Sequence, residues 1–451
     1  MAYFNLMILL SRYIFVGFGI LFIIVAFSFM KPFVHYTLGR ANEKNRFLYL
    51  CLMFFHLGGV SIIAGKETDL VIRMAIVTDG VIVFALITLT LWLLRLWGRH
   101  NEIILWNLMF FLMDMGYMML ERLDHEIVTK QIISYAIGIG VALVFPNIFS
   151  VLIRPKNKPF YLIVLVITMV IPFVFGSRVL GATNWVEIGG MSLQPSEIGK
   201  VALVLFLAAL FYDFEHQYNK SKSIIFSVIV MLIMLGCLVL QRDLGAALLY
   251  YLTFLIMLLI ATKNFVLPLI GMLAGSLGSV MGYFLFSHVR VRVEAWLDPW
   301  ADITGKGYQV VQGLFAMGTW GFFGSGLTRG IPDKIPFAST DYIFAALCEE
   351  FGTGMGIIIL FCYLGIILQC IQVALRQRNE FYMFIVIGIA AVFTMQTFII
   401  VGGVLKLIPL TGITSPFLSA GGSSMVVSIG MIGLITYFSY KSKDEEVRKE
   451  V

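Results

Sequence analysis

Two acidic residues and a lysine beside apolar segments have the types and spacing expected of a polar site in a membrane. Glu197 and Lys200 stand three residues apart, which places both on one face of a helix. Asp243 lies in a very short turn between two apolar runs. Each also has a structural interpretation, because Ser196 could cap the helix that carries Glu197, and Asp243 could cap the next one. Capping and ion pairing therefore compete with a role in binding substrate.

The segment 288–340 is the longest connection between apolar runs and is rich in glycine, tryptophan, proline and charge. Connections of this length and composition usually carry function. Arginine and lysine neutralise phosphate, aromatic rings stack on sugars, and a carboxylate can take a hydroxyl proton. The alternative is an interfacial anchor, with Trp296 and Trp300 at headgroup level. The charged candidates in this segment are Arg290, Arg292, Asp298, Asp302 and Lys306.

Two further features fall at membrane depth. Glu349 and Glu350 lie about two turns inside an apolar run, where a carboxylate pair either lines a substrate cavity or is held by a cationic neighbour. We favour the cavity. The stretch Gly421-Gly422-Ser423-Ser424 predicts broken backbone, which is tolerated at this depth only if it is buried in protein or lines a wet cavity. A plain helix-breaking turn is the alternative.

The elements that position these residues are membrane helices. The chain is 60% hydrophobic and 13% charged, and its mean hydropathy is +0.94, which excludes a soluble globular protein. Its apolar runs are long enough to cross ~30 Å of hydrocarbon as helices. The first run is expected to be retained as a helix, because it lacks the basic lead-in and cleavage site of a signal peptide. We predict an all-α polytopic protein with thirteen spans, near residues 6–29, 47–65, 74–96, 102–120, 131–153, 160–176, 198–213, 223–240, 244–262, 265–287, 341–370, 381–403 and 421–440.

Basic loops set the predicted orientation. The net charge is +6. We attribute it to basic loops that set the orientation of the chain, since such loops stay in the cytoplasm, and not to a nucleic-acid partner. This places the amino terminus outside and the carboxyl terminus inside, with the loops 177–197, 241–243, 288–340 and 404–420 external. The basic segments are Lys31 to Arg46, Arg95 to His100, Arg154 to Lys158, Lys220 to Lys222, Arg376 to Arg378 and the tail after Lys441.

Several classes of protein are excluded by what the sequence lacks. It has no nucleotide-binding glycine loop and no HExxH motif, so coupling to ATP is not indicated. The cysteines have no paired spacing that would predict zinc binding or a disulfide framework, and we expect them to be small core residues. They are Cys51, Cys237, Cys348, Cys362 and Cys370.

Taken together, the motifs resemble the SEDS family (shape, elongation, division and sporulation), the RodA/FtsW/SpoVE-like glycosyltransferases of bacterial wall synthesis. The resemblance covers residues 101–442. The matching blocks, in order, are Asn184-Trp185 with Gln194 to Lys200, Gln241 to Gly245, Trp296 to Asp302 with Gly305 to Gln309, Thr340 to Ala345 with Glu349 to Gly352, and Pro409 to Thr414 through Gly421 to Ser424.

The resemblance implies a ten-helix core at 101–451 and an amino-terminal extension of about three helices at 1–100. This chain departs from the family pattern at four places. The family usually has proline where Arg242 stands, often histidine where Ser339 stands, and commonly asparagine and glycine near Ile400 and Lys406. These departures affect the expected fine geometry of the substrate site and leave the carboxylates in place.

The activity that the resemblance implies is polymerisation of lipid II, in which a sugar hydroxyl displaces undecaprenyl diphosphate from the growing chain. It implies Asp302 as the catalytic base, with Asp298 as second choice, and Ser423 and Ser424 as substrate-binding residues. No cofactor is certain, although Mg or Mn could assist. The implied phosphate ligands are Lys200, Arg290, Arg292 and Lys306, and the residues expected to shape the cavity are Glu197, Asp243 and Glu349.

The resemblance further implies a bacterial cytoplasmic membrane location and a class B penicillin-binding protein, a transpeptidase, as partner. It does not separate roles in elongation, division and sporulation. A lipid II flippase is the main alternative function, since a broken-helix cavity also suits transport. A non-catalytic scaffold is the other. Because the candidate carboxylates fall mostly on the predicted exterior, the enzyme is the favoured interpretation.

Overall fold

The computed structural model describes residues 2–28, 38–97, 103–179, 182–188, 191–212, 214, 217 and 219–450. The predicted boundary at residues 100 and 101, and residues 31–37 of the first basic loop, lie outside these ranges. The helices within them are α1 (Ala2–Ser28), α2 (Leu38–Lys66), α3 (Leu70–Leu96), α4 (Ile103–Leu123), α5 (His125–Ile148), α6 (Lys158–Phe175), α7 (Pro195–Phe211), α8 (Lys220–Leu240), α9 (Leu244–Thr262), α10 (Val266–Leu285), α11 (Ser287–Leu297), α12 (Tyr308–Thr319), α13 (Ile343–Arg376), α14 (Glu380–Val404) and α15 (Gly422–Glu450).

The chain is a multi-pass membrane protein. Within the described ranges, 12 helices are long and apolar enough to cross a membrane. The predicted count of thirteen is therefore not confirmed. The difference is α7, which has 17 residues and is ~26 Å long at 1.5 Å per residue, short of the ~30 Å hydrocarbon core. The other twelve predicted spans each coincide with one of these helices.

Helix α4 lies at the centre of the amino-terminal half and is buried along its described length. It packs against α2, α3, α5 and α13, so α2 and α3 cover a surface of α4 that would otherwise face lipid. Asn107, Asp114 and Glu121 recur every seven residues along α4 and are all buried. His56 from α2 contacts Asp114, with 2.6 Å between Nδ1 and Oδ1.

The connection before α7 forms a small antiparallel sheet, so the expectation of an all-α protein omitted one element. Its strands are β1 (Ser177–Val179), β2 (Ala182–Ile188) and β3 (Met191–Leu193), in the order β1-β2-β3. The predicted long loop 288–340 is also ordered, because it contains α11, α12 and two short 3₁₀ helices, Pro299–Asp302 and Pro332–Lys334. These segments gather at the end of the bundle where α7 and α9 begin.

Helix α13 is broken at Gly352, whose φ of 88° and ψ of 164° are not helical. The loop after α12 fits against this break, since Ser325 N donates to Glu349 O and Gly354 N donates to Phe322 O. A side chain at Gly352 would collide with the backbone of Phe322. Glycine is required here by both the positive φ and the close approach. The break anchors the loop to the membrane helices.

Candidate functional site: a charged cavity

A cavity of about 610 Å³ opens among α7, α9, α11, α14 and the segment 404–414. It has the size of a small-molecule site and an unusual concentration of charge for a membrane protein. The charged residues that line it come from helices and from the connections at the same end of the bundle. They are Glu187, Glu197, Lys200, Arg242, Asp243, Arg292, Lys306, Asp341 and Lys406.

Glu197 and Lys200 form an ion pair on one face of α7, as their spacing predicts, with 2.5 Å between Oε2 and Nζ. Lys200 is only 2% exposed, and its Nζ also donates to Gln396 Oε1 at 3.2 Å. Gln396 in turn donates to the carbonyl of Thr414 at 2.8 Å. Lys200 is thus held in place by the wall of the cavity. Ser196 does not cap α7, because the N-cap position is occupied by Gln194.

Asp243 caps α9, and its carboxylate also fixes the cavity wall. Oδ1 accepts from Ala246 N at 3.0 Å, which confirms the predicted cap. Oδ2 accepts from Asn184 Nδ2 at 2.9 Å and from Gln194 Nε2 at 2.8 Å. One buried side chain therefore ties together the sheet, the start of α7 and the start of α9. These three elements set the shape of one side of the cavity.

The opposite side is rich in positive charge. Arg292 on α11 donates to the carbonyls of Leu410 and Thr411, at 3.2 Å and 2.6 Å. Burial raises the pKa of Asp341 to about 6, against the opposing effect of the nearby Arg292 guanidinium. Burial lowers the pKa of His288, and the positive charges of Arg242 and Arg292 lower it further. Such a cluster of cations suits an anionic ligand such as a diphosphate.

Asp298 and Asp302 lie on the turn after α11, and both are exposed. Asp298 caps the 3₁₀ helix Pro299–Asp302 by accepting from Trp300 N at 3.2 Å. Asp302 Oδ2 accepts from the backbone N of Lys306 at 3.0 Å. Lys306 lines the cavity, and its ion pair with Glu294 (2.9 Å) raises the lysine pKa. Neither aspartate lines the cavity, and Asp302 is the one that contacts a lining residue, Lys306.

Three other predicted residues do not line the cavity. Arg290 donates to the carbonyl of Phe284 at 3.3 Å, so its guanidinium is turned toward α10. Ser423 Oγ accepts from Gln194 N at 3.2 Å, and the Ser424 hydroxyl is 2.9 Å from that of Thr414. The two serines therefore connect the start of α15 to the cavity wall without facing the cavity themselves.

Glu349 lies in a separate group, here called the Arg122 cluster, which consists of Arg122, Asp333, Glu349 and Glu350. Arg122 contacts Glu350 at 3.3 Å and Asp333 at 3.7 Å. The backbone N of Thr328 donates to Glu350 at 3.0 Å, and that of Ile331 donates to Glu349 at 2.8 Å. The glutamates thus fasten the loop before α13. This placement differs from the expectation that Glu349 shapes the cavity.

Several lining residues carried no predicted role, and each had a weak signal. Gln396 is a polar residue inside an apolar span, and Lys406 is a charge in the segment predicted to be external. Asp341 and Arg242 stand in the matching blocks but were assigned no function. His288 had no signal of its own, because a single histidine next to a long loop has no distinctive spacing.

Of the four described carboxylates that line the cavity, two are already engaged by protein groups and are poorly placed to hold the Mg or Mn ion that could assist. Glu197 is neutralised by Lys200, and both oxygens of Asp243 accept hydrogen bonds from protein groups. Among the described residues, the one group of three or more side chains that could hold a metal is Asp79, Glu121 and His125, on α3, α4 and α5. None of these three lines the cavity.

The fold and the cavity define a multi-pass membrane protein with a polar, cation-rich site at one end of its helix bundle. A family model described as a cell cycle protein, FtsW/RodA/SpoVE, matches residues 96–444. The chain therefore belongs to the FtsW/RodA/SpoVE family, the SEDS family that the motifs predicted.

Individual relatives agree with this assignment. The chain is 37% identical over 275 residues to the peptidoglycan glycosyltransferase RodA of Mycobacterium tuberculosis, covering 58% of this chain and 59% of that protein. It is 34% identical over 298 residues to the stage V sporulation protein E of Bacillus subtilis, covering 63% and 77%. Among solved structures, it resembles a chain of a peptidoglycan synthase complex, with 26% identity, a TM-score of 0.61, and coverage of 75% and 97%.

Proposed function

We propose that this chain is a peptidoglycan glycosyltransferase that polymerises lipid II at the outer face of the bacterial cytoplasmic membrane. The observation that carries the proposal is the cavity, whose lining contains cations that suit a diphosphate and whose residue Lys306 is joined through its backbone to the exposed carboxylate of Asp302. The resemblance to RodA, itself a peptidoglycan glycosyltransferase, supports the reaction class. The proposal includes a ten-helix core at 101–451 and an extension at 1–100.

The proposal places the cavity outside the cell, with the amino terminus outside and the carboxyl terminus inside. This requires α7 to cross the membrane despite its length. Gln194, before the first residue of α7, reaches the cavity wall through Asp243, whereas Phe211 and Tyr212 at the other end pack against Phe384 and Phe381. Such contacts at opposite ends of the bundle support a thirteenth crossing.

Positive charge lies at the end of the bundle where α7 ends. Tyr382 follows Phe381 at the start of α14, and its hydroxyl accepts from Lys441 Nζ at 2.7 Å. Lys441 begins the basic tail, which the positive-inside rule assigns to the cytoplasm. The cavity, at the other end, would then face the outside, where the proposed reaction takes place.

In the proposed reaction the 4-hydroxyl of one disaccharide attacks the anomeric carbon of the lipid-linked chain. A new glycosidic bond forms and the bond to undecaprenyl diphosphate breaks. Asp302 takes the hydroxyl proton, and its exposed position beside Lys306 suits that role. Arg292 and Lys306 receive the charge of the departing diphosphate. Lys200 is held by Glu197 and Gln396 in the cavity wall, where its ammonium can also donate to the diphosphate.

Purified protein with labelled lipid II tests the proposal directly. We expect glycan chains from the wild type and a loss of rate of about 10²- to 10⁴-fold in Asp302→Asn, because removal of a general base costs that much. Asp298→Asn tests the second candidate, and Glu126→Gln, an exposed carboxylate outside the cavity, is the matched control. Near-normal polymerisation by Asp302→Asn would refute its role as base.

The partner belongs to the same proposal. We expect a class B penicillin-binding protein, and the resemblance to a chain of a synthase complex that coordinates polymerization and crosslinking supports it. The polymerisation assay is therefore run with and without such a transpeptidase. Absence of chains under both conditions would exclude the enzyme and leave a transporter or a scaffold.

A further inference from the structure

A second group of titratable side chains lies between the amino-terminal helices and the rest of the bundle. Asp79 on α3, Glu121 on α4 and His125 on α5 each offer a ligand atom, and these atoms lie within 4.8 Å of one another. The Nδ1 atom of His125 is 2.5 Å from Glu121 Oε1 and 3.9 Å from Asp79 Oδ2. Three separate helices therefore converge on one point.

One of the two Glu121 carboxylate oxygens, Oε1, contacts His125, and the other, Oε2, is not satisfied by the protein groups that the structure describes. Glu121 is 5% exposed, and its Oε2 has no hydrogen-bond partner in the part of the chain that the structure describes. The hydroxyl of Tyr117 lies near this carboxylate but does not meet hydrogen-bond geometry with it, so it leaves room for a ligand at Oε2. A buried carboxylate oxygen with no partner is costly, and a bound ligand that accepts its lone pairs would remove that cost.

The charge balance also points to a cation. Among the described residues, the ion pairs of Asp79 and Glu121 are with His125 alone. Two carboxylates thus share a single imidazole, which carries one positive charge at most. A divalent ion would neutralise both carboxylates and leave the imidazole as a neutral ligand.

We propose that Asp79, Glu121 and His125 bind one divalent transition-metal ion, with zinc as the best fit. One imidazole nitrogen and two carboxylate oxygens are a ligand set that zinc accepts. Ligands ~2.0–2.1 Å from a tetrahedral ion are ~3.3 Å apart, between the observed 2.5 Å and 3.9 Å. Small side-chain rotations would therefore suffice. Water can fill the remaining position, because His125 is 30% exposed.

The ion would fasten the first three helices to the rest of the bundle. Asp79 comes from α3, while Glu121 and His125 come from α4 and α5. Next to Asp79, the carbonyl of Gly80 is 2.8 Å from His56 Nε2, so the same contact region already contains a polar link. Next to Glu121 stands Arg122, which holds the loop before α13. Occupancy would stabilise the folded protein without touching the cavity.

The test uses full-length protein purified without a histidine tag, treated with a chelator and titrated with zinc chloride. We expect one zinc per chain in the wild type. We expect His125→Ala and Glu121→Gln to weaken binding by at least ~10-fold, the loss caused by removing even an outer-shell partner. Glu126→Gln, which removes an exposed carboxylate next to His125, should bind zinc as the wild type does. Zinc should raise Tm only in the wild type and this control.

A measurement on the wild type alone tests the proposal even if the variants fail to fold. The X-ray absorption spectrum of the zinc-loaded wild type should show a single imidazole among oxygen ligands. Absence of bound zinc, zinc without an imidazole, or unchanged binding in a folded Glu121→Gln protein would each overturn the proposal. His125 would then link the two carboxylates without a metal ion.

Discussion

The cavity and the Arg122 cluster both place carboxylates beside cations at the same end of the protein, but their carboxylates are used differently. In the Arg122 cluster, Glu349 and Glu350 accept backbone N–H groups of the loop before α13, and Arg122 neutralises Glu350. In the cavity, Arg292, Lys306 and Asp341 face about 610 Å³ of open volume. One group closes on the protein itself, and the other remains open to a ligand.

This difference shows why a charge at membrane depth is not sufficient evidence for a site. Burial makes every such charge expensive, so it must be compensated. Charges enclosed entirely by protein partners form an anchor, whereas charges that border open volume beside their protein partners, as Arg292 and Lys306 do, form a candidate binding site. We expect variants of the Arg122 cluster to lose stability and variants of the cavity to lose activity.

Arg122→Met should have the largest effect on stability. It leaves Glu350, which is fully buried, without its cation, and breaking one side of a buried pair costs about 3–5 kcal/mol. We expect a fall in Tm of purified protein in detergent. The double variant Arg122→Met with Glu350→Gln should recover much of the loss, because no uncompensated charge remains.

The matched change in the cavity is Arg292→Met. Arg292 is exposed, so we expect a much smaller fall in Tm and a clear loss of lipid II polymerisation. If Arg292→Met destabilised the protein as much as Arg122→Met, the distinction between the closed cluster and the open cavity would fail.

The second prediction distinguishes the role of the Arg242 backbone conformation from that of its charge, at the turn before α9. Arg242 has a φ of 61°, which proline cannot adopt, and its N–H donates to Val239 O at 3.0 Å. Arg242→Pro should therefore cost about 3 kcal/mol, the order of a proline that removes a hydrogen bond and clashes. Arg242→Gly tolerates the positive φ.

The glycine variant is the control for this turn. We expect it to keep its Tm and to bind lipid II more weakly, since it removes one of the cavity cations. Equal Tm values for the proline and glycine variants would contradict the observed backbone conformation.

The sequence predicted the helices well because long apolar runs have few alternatives in a membrane. It also predicted the Glu197–Lys200 pair and the Asp243 cap, since both depend on residues close in the chain. Glu349 was assigned to the cavity because the sequence shows how deep it lies in its span. The sequence does not show that a loop folds back onto it. That loop depends on the break at Gly352, a tertiary contact with no local signal.

The count of spans was not confirmed, and the lining of the cavity differs from the expectation, for similar reasons. A helix of 17 residues such as α7 is at the lower limit of length for crossing a membrane, so length alone does not decide whether it is a span. Lys406, Gln396 and His288 reach the cavity only because α11 and α14 are brought together by tertiary packing. Asp302 is different, since its proposed role comes from the motif, and the structure adds only that it contacts the backbone of Lys306.

The smallest expected effect concerns Asp341, whose pKa burial raises to about 6 from an ordinary value of 3.8. Between pH ~4 and ~6 the folded protein keeps a proton that the unfolded chain has released, so this group's contribution to stability falls as pH rises through that window. Above pH ~6 the contribution is constant. A shift of about two pKa units corresponds to at most about 3 kcal/mol, and a partly solvated group should give about 1–3 kcal/mol.

Comparing the wild type with Asp341→Asn isolates this contribution, because the other titrating groups are shared. We expect the wild type to lose stability relative to the asparagine variant as pH rises from 4 to 6, measured as the difference between their Tm values. A constant difference would mean that Asp341 is charged throughout, held by Arg292. The cavity would then be closed by an ion pair in the same way as the Arg122 cluster, and the contrast between the two regions would disappear.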